Sequence, residues 1–63
     1  MLSYQFRLMD HRYHLLQLET RTYESDFFAC EAAKHMNVGR VVEISRQGQF
    51  ILRIEADGST SRE

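Results

Sequence analysis

The residues of this 63-residue chain with the clearest potential for chemistry are its single cysteine and its histidines. Cys30 is a potential nucleophile, and His35 is the potential base in the same predicted helix. Activation of a thiol requires a hydrogen bond to such a base. Residues five positions apart on a helix, however, point about 140° away from each other. The two side chains therefore cannot form a catalytic dyad.

A second group of potential ligands lies near the N-terminus, where Asp10, His11 and His14 follow the first predicted strand. Two imidazoles and a carboxylate could bind zinc or another divalent cation. In an extended segment, however, residues three apart point to opposite sides of the backbone. A further well-placed ligand is also missing. We therefore expect no metal and no other cofactor.

Other motifs and the overall composition argue against an enzyme and against a general polyanion binder. The chain has no glycine-rich phosphate loop, no nucleophile elbow and no H-E-x-x-H motif, and a chain this short has little room for a deep pocket. Its 8 basic and 9 acidic residues give a net charge of −1, whereas affinity for nucleic acid depends on excess positive charge. The sequence begins without an export signal and has no apolar run of membrane-spanning length, so we expect a cytoplasmic protein.

The small size of the chain makes self-association an expectation. A domain of about 60 residues buries only about 60% of its unfolded surface, and such domains usually gain stability from disulfides, a metal or a partner subunit. A single cysteine cannot form an internal disulfide. Since two-fold symmetric dimers are the commonest closed assemblies, we expect a homodimer.

The clearest secondary-structure signal is a helix that begins after Ser25, a potential N-cap. An apolar stripe of helical period follows and is expected to pack on a sheet; it consists of Ala29, Ala32, Ala33 and Met36, with Phe28 beside them. The opposite side carries Phe27 and Cys30, which are predicted to be exposed and to form an interaction site for a partner protein. Alternatively, a small rotation of the helix would put Phe27 and Phe28 at the two borders of the stripe.

Two strand-like segments precede the helix, at residues 2–8 and 13–22, and two follow it, at residues 40–45 and 49–55. Alternation predicts that the even residues of these strands face the helix, among them Leu16, Leu18, Phe50 and Leu52. Pairing Phe50 with Ile44 on that face requires a three-residue loop, residues 46–48. The predicted fold class is α+β. We expect one ββαββ domain at residues 1–56, a two-layer sandwich with one helix on a four-stranded antiparallel or mixed sheet, and a disordered C-terminal tail at residues 57–63.

Several stretches of the chain have the same order as in a known group of proteins: the strand YQFRL at residues 4–8, the Ser25-Asp26 cap before an alanine-bearing helix, the strand Val42-Glu43-Ile44 and the turn Gln47-Gly48. In this outline the chain resembles short uncharacterised bacterial proteins of ββαββ arrangement. Members of that group often carry a tryptophan near Ser45 and a glycine in the first hairpin turn, and this chain has neither. The resemblance implies a small ββαββ protein without an assigned activity, and it assigns no functional residues.

The sheet face away from the helix is the predicted interaction surface. It is expected to combine apolar and basic side chains: Tyr13, Leu15, Val41, Ile51, Arg7, Arg21 and Arg53. Its apolar members favour a protein interface, and we expect a homodimer or another protein partner to bury them. Its tyrosines and arginines suggest an alternative, weak binding of RNA or single-stranded nucleic acid by stacking and phosphate contacts.

Overall fold

The computed structural model describes residues 1–62 and has one helix packed on one face of a five-stranded antiparallel sheet. The elements in chain order are β1 (Leu2–Met9), β2 (Leu15–Tyr23), α1 (Asp26–Met36), β3 (Val41–Arg46), β4 (Gln49–Ile54) and β5 (Thr60–Arg62). The strand order across the sheet is β2-β1-β3-β4-β5. The predicted α+β class with a helix on one face is confirmed, but the sheet has five strands where the sequence predicted four.

The additional strand, β5, lies in the segment that was predicted to be a disordered tail. A turn leads into it, in which Gly58 adopts a φ of +92° and the Asp57 carboxylate accepts hydrogen bonds from the backbone N–H and the hydroxyl of Ser59. Backbone pairing with β4 then holds the strand. The prediction is wrong for Thr60–Arg62 because it required an apolar anchor, and this short polar strand has none. Glu63, the last residue of the predicted tail, lies outside the described residues.

The core forms between the helix and the three central strands. Its buried side chains are Tyr4, Phe6 and Leu8 of β1, Val42 and Ile44 of β3, Leu52 and Ile54 of β4, and Ala29, Cys30 and Ala33 of α1. The small residues of the helix let its backbone lie close to the sheet. Cys30 is buried among them, so its predicted exposure on the outer side of the helix is wrong. The buried stripe is centred between Ala29, Ala33 and Cys30, which is a rotation relative to the predicted stripe.

The hairpin between β3 and β4 differs from its predicted register. Gln47 and Gly48 form a two-residue turn with φ values of 53° and 79°, the positive values that a type I′ turn requires. This turn sets Ser45 opposite Phe50. The ring of Phe50 is therefore turned to the face away from the helix, where the sequence pattern had placed Ile51.

A β-bulge directly after Phe50 corrects the register for the rest of β4. Ile44 lies opposite Leu52, so Ile51 is the extra residue between the two pairs. Because of this shift, Ile51 packs against the core on the helix side. The prediction that Ile51 belongs to the open sheet face is wrong for this reason: the two-residue turn and the bulge together exchange the faces of two neighbouring side chains.

A second bulge shifts the register of β2. Leu8 lies opposite Gln17 but Met9 lies opposite Leu15, so Leu16 is the extra residue. Beyond the bulge, Leu18 pairs with Arg7 and faces away from the helix. The predicted burial of Leu16 and Leu18 is wrong: they are 59% and 49% exposed.

The outward direction of Leu18 follows from the position of Tyr23 at the other end of β2. Tyr23 packs its ring against those of Tyr4 and Phe6, with centroids 6.2 and 6.0 Å apart. Among the described residues it is the apolar side chain of β2 that packs on the core. Since side chains alternate along a strand, an inward Tyr23 requires an outward Leu18.

A partly buried hydrogen bond ties the helix to the centre of the sheet. The Tyr4 hydroxyl donates to Asp26 Oδ1 at 2.5 Å, and Arg46 Nε lies 3.4 Å from the same carboxylate oxygen. Ser25 makes no side-chain capping bond, so Asp26 is the charged residue that fixes the first turn. Burial, and then the neighbouring carboxylate, raise the pKa of Tyr4 to about 12.

We predict that Tyr4→Phe lowers the free energy of unfolding by about 1.5 kcal/mol, the lower end of the range for a hydrogen bond to a charged group. The variant also changes the pH dependence. Because the pKa of Tyr4 is about 12 in the folded protein and near 10 when unfolded, its contribution is complete below pH 10 and is lost as the pH rises towards 12. Urea denaturation of both proteins at fixed concentration across this range should show a smaller alkaline loss for Tyr4→Phe. Parallel losses would contradict the assignment.

Candidate interaction surface

The face of the sheet away from the helix, here called the open face, is divided into rows of opposed side chains. The middle row crosses all five strands and contains Leu18, Arg7, Glu43, Arg53 and Ser61. The row towards the β3–β4 turn is mostly uncharged and contains Thr20, Gln5, Ser45 and Phe50. The row at the other end is apolar and contains Leu15, Met9 and Val41.

Arg53 of the middle row is paired with two glutamates. Arg53 Nε donates to Glu43 Oε2 at 2.8 Å, and Arg53 Nη1 lies 3.8 Å from Glu55 Oε2. The hydrogen bond to Glu43 raises the pKa of Arg53 further. Arg7 lies directly opposite Glu43 on the neighbouring strand. Arg53 is therefore engaged by two glutamates, whereas Arg7 makes no ion pair within residues 1–62.

Tyr13 closes the apolar end of the open face. From the loop after β1 its hydroxyl donates to Glu55 Oε1, beyond the end of β4, at 2.7 Å, and the Arg53 guanidinium carbon lies 5.3 Å from its ring centroid. Since β3 lies between these strands, the ring must pass over the start of β3 at Val41. A ring in this position would cover Val41 and the neighbouring Met9, both of which are buried.

The loop that presents Tyr13 is organised by Asp10. Its carboxylate accepts hydrogen bonds from the backbone N–H groups of Arg12 and His14, and the bond from His14 lowers the pKa of Asp10. Tyr13 itself adopts a φ of 67°, a conformation uncommon for a bulky residue. Both of these bonds use Oδ1 of Asp10, and its Oδ2 lies 3.3 Å from His14 Nδ1. Residues 1–62 contain no group of three potential ligands that could hold a metal ion.

The structure brings together five of the seven residues predicted for this surface. Arg7, Tyr13, Leu15, Val41 and Arg53 belong to the open face, although Val41 is buried beneath the loop. Two predicted members are placed elsewhere. Ile51 packs on the core, as described above, and Arg21 pairs with Tyr4 on the helix side, where its Nη2 lies 3.0 Å from Glu19 Oε1.

This arrangement gives no support to a nucleic-acid surface. Arg21 is on the wrong face, Arg53 is engaged by two glutamates, and Tyr13 uses its hydroxyl and one side of its ring within the protein. Binding of single strands requires free basic groups and free aromatic faces. Weak RNA binding remains a prediction without an observation in its favour.

On the helix, Phe27 alone remains a candidate for partner contact. Its side chain is 66% exposed, and its ring contacts that of Phe28 edge-on at a centroid distance of 5.4 Å. Cys30 lies on the floor of a cleft of about 280 Å³ between the helix and the β4–β5 edge. Burial raises the pKa of the Cys30 thiol, which disfavours the reactive thiolate.

The most exposed apolar residues of the sheet lie on β2, and the sequence analysis missed most of them. Leu15, Leu16 and Leu18 are 53%, 59% and 49% exposed. Phe28 of the helix is half exposed and lies beside Tyr23 and Thr22 at the end of the same strand. The sequence LLQL at residues 15–18 does not alternate strictly between apolar and polar residues, which indicates an irregular strand. The strand order that places these leucines at an edge cannot be derived from this pattern.

Comparison with known protein families, with curated proteins and with solved structures finds no match to this chain. The class that the structure defines is therefore a small α+β protein with one helix on a five-stranded antiparallel sheet. The helix within residues 1–62 is not long or apolar enough to cross a membrane.

We predict that Tyr13→Ala destabilises the protein more than Tyr13→Phe does. The phenylalanine ring would still cover Met9 and Val41 and contact Arg53, whereas alanine would expose both buried side chains to water. Urea denaturation at neutral pH measures the two losses. Equal losses would mean that the hydrogen bond to Glu55, and not the ring, is the stabilising contact.

Proposed function

We propose that this protein is a non-catalytic module that acts through protein–protein contacts and forms a homodimer along the edge strand β2. The observation that carries the proposal is the exposure of Leu15, Leu16 and Leu18 on that strand. Isolated apolar residues are common on protein surfaces, but a group of them at the unpaired edge of a sheet is typical of an interface.

The contrast between the two edges of the sheet supports this proposal. Natural proteins protect sheet edges with short strands, charged residues and polar side chains, because an unpaired edge can pair with another chain. The β5 edge fits that description, since Thr60–Arg62 is only 3 residues long and has no apolar side chain. Strand β2 has 9 residues and three leucines. The two edges therefore differ in length and in exposed apolar side chains.

A second copy of the chain is the partner that the size of the domain favours. The core is thin, because the helix contributes only alanines and a cysteine as fully buried side chains. Pairing two β2 strands would cover the exposed leucines and satisfy the free backbone groups of both edges. The buried thiol and the paired acidic and basic groups of the open face are consistent with a role in binding and not in catalysis.

Sedimentation equilibrium across a concentration series tests this proposal. We expect the wild-type chain to form a dimer that persists at high salt, because apolar contacts and backbone hydrogen bonds are weakly screened. Leu18→Lys should shift the equilibrium towards monomer by placing a charge at the edge. Val38→Lys is the matched control, since Val38 is 73% exposed and lies in the loop after the helix.

Two outcomes would overturn the proposal. A wild-type chain that is monomeric at every concentration would remove the homodimer. A dimer that Leu18→Lys and Val38→Lys leave equally intact would mean that the association uses another surface. In the first case, oligonucleotide binding at low salt would be the next measurement.

A further inference from the structure

The geometry of β2 restricts how two copies of this strand could pair. Its ladder with β1 is regular from residue 17 to residue 23, where Gln17 lies opposite Leu8 and Tyr23 lies opposite Leu2. The bulge at Leu16 interrupts the strand before that segment. Residue 20 is the midpoint of the regular segment, so a two-fold axis through Thr20 pairs the longest stretch of β2 that contains no bulge.

The charges on β2 are arranged symmetrically about the same residue. Glu19 and Arg21 flank Thr20 on the helix side of the strand, and Arg21 Nη2 lies 3.0 Å from Glu19 Oε1. In an antiparallel pair centred on Thr20, Glu19 would lie opposite Arg21 of the partner subunit, and Arg21 opposite the partner's Glu19. Four charges would then alternate in sign across the interface, and opposite charges at facing positions stabilise antiparallel pairs.

We propose that two copies of this chain pair antiparallel through β2 with the two-fold axis at Thr20. The two five-stranded sheets then form one continuous sheet of ten strands. Both helices lie on the same side of that sheet, because directly opposed residues of antiparallel strands share a face. The inference rests on the proposed homodimer and specifies its register.

The neighbouring registers are less favourable for identifiable reasons. An axis at Glu19 would place two like charges directly opposite each other, which destabilises a strand pair. An axis at Leu18 would extend the ladder to residues 15–21 and therefore across the bulge at Leu16 in both copies. A register shifted by one residue would pair an even-numbered residue with an odd-numbered one. It would therefore set helix-side residues opposite open-face residues, which is incompatible with the alternation of strand faces.

Pairing at Thr20 also accounts for exposed side chains on both faces. On the open face, Leu18 would lie opposite the partner's Thr22, so Leu18 of each copy would contact a threonine methyl group, while Leu15 and Leu16 precede the paired segment. On the helix side, Gln17 would lie opposite the partner's Tyr23, beside the exposed ring of Phe28. Thus the two ends of the regular segment would each gain one contact to an apolar side chain.

Cysteine cross-linking tests this register directly, in a Cys30→Ala background that removes the native thiol. Directly opposite residues of an antiparallel pair have Cβ atoms about 5 Å apart, close to the distance that a disulfide spans. Thr20→Cys should therefore form an intersubunit disulfide with itself under mild oxidation. Leu18→Cys and Thr22→Cys should each fail alone, because their equivalents lie about 13 Å apart along the strands, and should cross-link when mixed.

The cross-linking results distinguish a wrong register from the absence of a homodimer. Self-cross-linking of Leu18→Cys, or no cross-link from Thr20→Cys in a chain that sedimentation shows to be dimeric, would overturn the register and leave the homodimer standing. A monomeric wild-type chain would overturn both. As a second measurement, Glu19→Gln should raise the dimer Kd by about two- to tenfold, as expected for the loss of two exposed ion pairs. Tighter association of that variant would indicate an axis at Glu19 and contradict the proposal.

Discussion

The packing of one short helix on the centre of the sheet is the constraint on which the rest of this structure depends. A helix is about 10 Å wide and strands lie about 4.8 Å apart, so a single helix covers about two to three strands. Its buried residues Ala29, Cys30 and Ala33 form the core with the even-numbered side chains of β1, β3 and β4, and it also contacts β2, whose Tyr23 packs on that core. The outer strands lie largely beyond that cover. The properties of β2 and β5 follow from their position at the edges of a sheet that its helix cannot span.

The two bulges show how the chain adapts its pattern to this constraint. In β4, the Gln47-Gly48 turn sends Phe50 to the open face, and the bulge at Ile51 returns Leu52 and Ile54 to the core. In β2, the bulge at Leu16 leaves the leucines outside and brings the ring of Tyr23 against the core. The bulge in β4 keeps the apolar side chains of that strand buried, whereas the bulge in β2 leaves most side chains of that strand exposed. This edge strand with its exposed leucines is the surface on which we base the proposed homodimer.

How much was predictable from the sequence depends on the range of the interactions involved. The helix, strand β1 and the α+β class follow from local periodicity, and Phe6 and Ala29 are buried as their patterns indicate. The faces of Ile51 and Arg21 were predicted wrongly because a bulge in each strand shifts the alternation by one residue, together with a two-residue turn in the case of Ile51. The contact of Tyr13 with Glu55 joins positions 42 residues apart, so the burial of Val41 beneath that loop depends on the strand order, which local patterns do not encode.

Amide hydrogen exchange along β2, measured at low and at high protein concentration, tests the central claim most directly, because it reports which backbone groups become paired on association. If two copies pair through β2, alternate amides within residues 17–23, those directed away from β1, gain protection as the concentration rises, while the amides of β5 exchange at an unchanged rate. Dimers that form without any added protection in residues 17–23 would contradict this pairing.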